Sequence, residues 1–184
     1  LFLTFIFIKF IINLLVNEIK IAVTHSVNEL FKKHPNEDFY YISLITSGEA
    51  HSPILSAWSY QELHKLSDND KEELLIKWSY ADSPYTMYKN NFFQKVEQIF
   101  ELRDAENINE KDESVEFDFR INAMVEAMHQ VDISGVFGTG DPRLNLLINV
   151  EVMPPDETNV IRAKKLNPKN SKILPIWIEE AGEE

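Results

Sequence analysis

Phe39-Tyr40-Tyr41-Ile42-Ser43-Leu44-Ile45-Thr46 is the stretch whose reading decides the fold class. Aromatic and β-branched residues fill most of it, and Ser47-Gly48 follows as a turn signal. A short apolar run bounded in this way reads as a buried strand. The class then depends on what flanks it.

Upstream, Ile12, Leu15, Ile19, Val23, Val27 and Leu30 or Phe31 recur at the three-to-four spacing of one helical face. His34-Pro35 stops that helix, because the residue before proline avoids the α region. Downstream, Ser59 with Glu62 matches a capping box that opens a helix to about Leu66. A polar loop, Ser67 to Asp70, leads into a helical or extended run through Leu74, Leu75 and Ile76 to Trp78. After the break at Ser83-Pro84, Tyr88, Phe92, Val96, Ile99 and Phe100 predict an amphipathic helix to about Arg103. Phe117, Ile121, Met124, Met128 and Val131 predict another, with Ser114 as its cap.

Ile133 to Arg143 is glycine-rich and reads as strand and loop, and Leu144 to Val152 approaches the alternation of a half-buried strand. Leu147 breaks that alternation. Pro154-Pro155-Asp156 opens a helix with Ile161 and Ala163 facing inward, ending before Asn167-Pro168. Ile173 to Ile178 reads as an added strand. Helices grouped ahead of strands favour α+β: a single domain over residues 16–184, with a mainly antiparallel or mixed sheet packed against several amphipathic helices.

The chain has 184 residues, 18 Lys and Arg against 30 Asp and Glu, and a formal net charge of -12. That balance argues against a nucleic-acid binder, which neutralises phosphates with clustered Lys and Arg. It suits a free cytoplasmic protein or one whose partner is basic. The absence of cysteine removes disulfides, thiol catalysis and thiolate metal sites. The acid is concentrated between Glu97 and Asp118, where nine carboxylates face only Arg103 and Lys111, with a solvated connector expected at the middle.

Residues 1–15 form an apolar extension interrupted by Thr4, Lys9 and Asn13. The run is shorter than the roughly 20 apolar residues of a bilayer span, which disfavours a membrane anchor. An over-extended gene start also accounts for it.

Chemistry-bearing motifs are sparse. His25, His34, His51, His64 and His129 form no metal-ligand spacing, and no serine has a nucleophile-elbow context. No catalytic residue, metal or cofactor is therefore assigned. Phe137-Gly138-Thr139-Gly140-Asp141-Pro142-Arg143 has exposed backbone donors and an adjacent guanidinium, but lacks the third glycine of a dinucleotide loop and the Lys-Ser/Thr of a P-loop. The densest aromatic and polar cluster is Trp78-Ser79-Tyr80 with Asp82-Ser83-Pro84-Tyr85. Candidate binding residues are thus Trp78, Tyr80, Asp82, Tyr85, Gly138, Asp141 and Arg143.

Several short motifs occur in a recognisable order. They are the helix end at Phe31 to Pro35, the strand Phe39 to Leu44 with Gly48 beyond, and Lys77 to Tyr85. Val136-Phe137-Gly138 with Arg143, then Leu166-Asn167-Pro168, complete the series. From Val16 to Ile178 the chain resembles the bacterial domain-of-unknown-function 4303 family. The resemblance carries over no activity and no catalytic residue. It implies an association with immunity or accessory proteins encoded near secreted toxins.

Two functions are expected to compete. One is a binding module that neutralises a basic protein partner through an acidic, aromatic face at Glu97 to Asp118 and Trp78 to Tyr85. The other is a small-ligand binder or enzyme with a pocket around Trp78, Asp82, Gly138 and Arg143, where Arg143 pairs with an anionic group.

Overall fold

A computed structural model describes residues 2–67, 69–103 and 110–183. Its centre is the stretch that decides the class: β1 (Phe39–Ser47) is flanked by β2 (Ile54–Ser59) and β3 (Leu147–Met153). β1 runs antiparallel to β2 and parallel to β3, so the sheet is mixed and the fold is α+β. β2 escapes the sequence pattern because two of its buried residues, Ser56 and Ser59, are polar and hide the apolar period.

Both faces of the sheet are covered. Ile42 and Leu44 of β1, Leu55 and Ala57 of β2, and Ile148, Val150 and Val152 of β3 pack into one cluster. Their partners come from α1 (Phe2–Lys33) and α5 (Glu110–Ile133). On α1, Leu15, Ile19, Val23, Val27 and Leu30 are all fully buried, as their spacing predicts; the side chain of Ile12 falls outside those described. The opposite face carries Tyr40, Tyr41, Trp58 and Leu147. It is closed by Leu63 of α2 (Tyr60–Leu66), Val160 and Ala163 of α7 (Glu157–Leu166), and Trp177 of α8 (Leu174–Ala181).

Several local expectations are corrected. Tyr88 to Arg103 is not one helix but a 3-10 turn (Asn90–Phe93) followed by α4 (Gln94–Arg103). Lys89 adopts φ 55, a left-handed conformation that cannot continue a right-handed helix back to Tyr88. Ser114 lies within α5 and is not its cap, since good helix formers from Glu110 onward extend the helix upstream. The connector expected at the middle of Glu97 to Asp118 falls at 104–109, which lie outside the described residues, and from Glu110 onward the chain is helical. Of the two readings open for Asp70 to Trp78, the helical one holds over Asp70–Ile76 (α3). Ile133 to Arg143 contains turns and the single-turn α6 (Asp141–Leu144) in place of a strand.

Ile173 to Ile178 is also helical: Ile173 and Trp177, four residues apart, are buried while Pro175 midway between them is exposed, whereas strand alternation would place all three on one face. Pro175 suits the first turn of that helix. Among the described residues, no helix is long and apolar enough to cross a membrane.

The largest departure concerns β3 and α7. β3 is buried on both faces, Asn149 and Glu151 included, so it is not the half-solvated strand its alternation suggests. It is nevertheless an edge strand, and an edge leaves backbone N–H and C=O groups without a ladder. Side chains of α7 and its C-cap complete it. Asn159 accepts from Val152 N at 2.8 Å and donates to Val152 O at 3.1 Å. Asn167 accepts from Ile148 N at 3.0 Å and donates to Ile148 O at 2.7 Å. Between them, Arg162 Nε donates to Val150 O at 2.7 Å.

The spacing follows from geometry. Four residues of strand rise about 13 Å and eight residues of helix about 12 Å, so an antiparallel helix matches 148, 150 and 152 with 167, 162 and 159. This use of polar residues explains why Ile161, expected to face inward with Ala163, is 61% exposed. The inner face of α7 is occupied by the residues that bond the strand.

Asn167→Ala leaves both backbone groups of Ile148 buried without partners and is expected to cost about 2–4 kcal/mol. Ile161→Ala is expected to cost less than about 0.5 kcal/mol. Urea unfolding at neutral pH measures both, and equal losses would refute the assignment.

Candidate functional site

The Trp78 to Tyr85 segment is fastened to the sheet. Tyr40 Oη donates to Lys77 O at 2.6 Å, Trp58 Nε1 to Ser79 O at 2.7 Å, and Ser56 Oγ to Tyr80 O at 3.2 Å. Trp78 stacks edge-on against Tyr40 at 5.2 Å and donates through Nε1 to Glu180 of α8 at 2.7 Å. Lys77 reaches the same Glu180 oxygen at 2.7 Å. Burial opposes ionisation of Glu180, but these two donors outweigh it and hold the carboxyl below its ordinary value. Tyr80 is half-buried and Asp82 is exposed in the turn that follows.

Arg143 is buried and occupied. Its guanidinium binds Asp132 through Nε at 2.5 Å and Nη2 at 3.1 Å. The same head donates to the carbonyl oxygens of Leu146 and Leu166 at 2.6 and 3.1 Å and to Asn167 Oδ1 at 3.3 Å. The anion expected beside Arg143 is therefore Asp132 of the same chain. Trp78 belongs to the second cluster. Trp78, Asp82 and Arg143 are not among the residues that line the cleft beside Gly138.

That cleft, of about 700 Å³, lies between the end of α1 and the connection from α5 to β3. One side is built by Phe31, His34, Glu37, Asp38, Phe39 and Tyr60; the other by Phe137, Gly138, Asp141, Pro142, Asn145 and Leu146. Gly138 has φ +91, a backbone conformation that residues with a Cβ rarely adopt, so the turn forming the second wall favours glycine. Asp141 is exposed and meets Lys172 at 3.2 Å.

Glu37 organises the first side. Tyr85 Oη donates to its carboxylate at 2.7 Å, Ser59 Oγ at 2.5 Å, and His34 Nδ1 lies 2.8 Å from it. Burial raises the Glu37 pKa, but hydrogen bonds from Ser59, Tyr85 and His34 outweigh it and hold the carboxyl below its ordinary value. Burial, then Glu37, push the Tyr85 hydroxyl well up. Tyr85 also packs its ring on His34 at 4.8 Å and Phe39 at 5.5 Å. Of the seven residues expected from sequence, Gly138 and Asp141 line the cleft and Tyr85 supports it from behind. Sequence reading missed His34, Glu37, Asp38 and Tyr60. The run His34-Pro-Asn-Glu-Asp-Phe39, polar and wedged between a helix stop and a buried strand, is the signal that could have found them.

A second feature lies on α4 and α5. Glu116 receives Arg103 Nε at 2.9 Å and Arg120 Nε at 2.8 Å, which joins the two helices. Burial opposes ionisation of Glu116, and the two guanidinium groups outweigh it and lower its pKa. Around this clamp Glu97, Glu101, Glu113 and Asp118 are exposed, with no ion pair among the described residues. Leu102 and Val115 are 87% and 68% exposed beside them. Among the described residues, no group of three or more His, Asp or Glu is placed to hold a metal.

The lowered pKa of Glu37 fixes the sign of its pH dependence. Its contribution is present above the unfolded-state glutamate value and is lost as pH falls through the folded one. Wild type is therefore expected to lose its stability advantage over Glu37→Gln on going from pH 7 to pH 3. Urea midpoints at the two pH values test this, and a difference independent of pH would contradict it.

No curated protein and no solved structure matches the chain. A family described as Domain of unknown function (DUF4303) matches residues 19–168, which include the helix end at His34, the central strand, the glycine turn and Asn167. The chain belongs to the DUF4303 family.

Proposed function

We propose that this protein is a bacterial, cytoplasmic, non-enzymatic module that captures a basic protein partner, as an immunity or accessory protein of a toxin system does. The observation that carries the reading is the surface of α4 and α5. Its local arginines are spent on Glu116, leaving Glu97, Glu101, Glu113 and Asp118 exposed and uncompensated among the described residues. Leu102 and Val115 supply apolar contact area within that field. Interfaces combine an apolar centre with a polar rim. Opposite charge on the partner speeds encounter and selects against acidic competitors.

The net charge of -12 supports the same reading, as does the association implied by the family resemblance. The Trp78 to Tyr85 cluster contributes less contact surface than its composition suggests, because Trp78 is engaged with Tyr40 and α8, Tyr85 with Glu37, and the carbonyls of Lys77 and Ser79 with the sheet.

The test begins with affinity capture from native cells and mass spectrometry, followed by association kinetics with the purified partner. Glu97→Lys with Glu101→Lys is expected to slow association at least about tenfold at low salt, with the difference shrinking near 0.5 M salt. Leu102→Asp is expected to speed dissociation. A stoichiometric partner whose kinetics ignore all three substitutions and salt would exclude this face.

A further inference from the structure

We propose that the cleft between α1 and the α5 to β3 connection binds a small organic cation with an apolar body, a function separate from protein capture at α4 and α5. Its volume of about 700 Å³ falls within the roughly 300–1,000 Å³ typical of small-molecule sites and far exceeds one side chain. The rings of Phe31, Phe39, Tyr60 and Phe137 line it. Aromatic faces carry negative charge density and attract cations within about 6 Å.

The charged groups agree in sign. Glu37, Asp38 and Asp141 line the cleft, and no Lys or Arg does. Glu37 is kept ionised by its three neighbours. The Asp38 carboxylate accepts from the neutral Gln61 at 3.0 Å and makes no ion pair among the described residues. The partner of Asp141 is the exposed Lys172, and an exposed pair of this kind competes weakly with a bound ligand. An anion would meet carboxylates without a compensating cation, and a neutral ligand would desolvate them without replacing their hydration. A cation satisfies them.

Histidine supplies an independent indication. A carboxylate only accepts, so Nδ1 of His34 carries the proton it shares with Glu37. In the neutral ring Nε2 is then an acceptor, and it makes no hydrogen bond among the described residues. His34 lines the cleft, and in that neutral form its Nε2 can accept from a ligand bearing N–H donors, an ammonium or a guanidinium. The polarity is opposite to that expected from Arg143, whose charge is spent on Asp132.

Three probes with one phenylethyl body separate charge from shape: 2-phenylethylamine, 2-phenylethanol and 3-phenylpropionate. Protein-observed NMR titration at pH 7 and low salt is expected to show saturable shifts at the amides of Asp38, Gly138 and Asn145 with the amine. The alcohol should bind at least about tenfold more weakly and the carboxylate not at all, a factor of ten being about 1.4 kcal/mol. Asp38→Asn with Asp141→Asn is expected to weaken the amine about tenfold without moving the shifts produced by the alcohol. Tyr60→Leu, which removes a ring and no charge, should weaken the amine by about two- to fivefold. The proposal is overturned if the amine binds no tighter than the alcohol, if the carboxylate binds, if shifts map to another surface, or if none of the probes binds. Retention of amine binding in the Glu97→Lys, Glu101→Lys variant would show that the cleft acts independently of the α4 and α5 face, and its loss there would refute that separation.

Discussion

The edge of a sheet must satisfy its backbone, and in this protein the burden falls on three side chains of α7 and its cap. β3 is covered on both faces, so its outward N–H and C=O groups cannot all turn to water. Asn159 and Asn167 each offer an amide that imitates a neighbouring strand, and Arg162 serves the carbonyl between them. A buried polar group without a partner costs about 1–3 kcal/mol, so the helix and strand are fixed in one register. From that register follows the far wall of the cleft. Asn167 also accepts from Arg143, which holds Leu146 and Leu166 by their carbonyls and reaches back to Asp132 of α5.

The arginines are divided from the lysines by the same logic. The sequence contains four arginines, and each is committed within the fold. Arg103 and Arg120 hold Glu116, Arg143 holds Asp132, and Arg162 holds β3 while facing the buried Glu151. A planar guanidinium donates in several directions at once, which suits it to buried, multiply bonded positions. The positive charge left for the surface comes from lysine. Two acidic regions consequently stand open: the face of α4 and α5, and the cleft beside Glu37.

Much of this was legible in the sequence because it obeys simple periodicity. The inward face of α1, the central strand, the Ser59 cap and the end of α7 before Pro168 follow from spacing and capping chemistry. What escaped has a common physical origin. Hydropathy treats Asn159, Arg162, Asn149 and Glu151 as solvent-facing, whereas all four are buried within a hydrogen-bonded layer. Ile161 was expected inward because nothing local reveals that the interior side of its helix is reserved for a strand edge. The candidate site divides the same way. Gly138 and Asp141 were visible as an unusual turn, while His34, Glu37 and Tyr60 come together only when α1, β1 and β2 are in place.

Amide hydrogen exchange tests the central claim most directly. If side chains of α7 complete the sheet, the amides of Ile148 and Val152 should exchange only through global unfolding, with protection equal to that of Ile42 and Leu44 in the central strand. Exchange of those two amides at the rate of a frayed edge, while the central strand stays protected, would contradict the account.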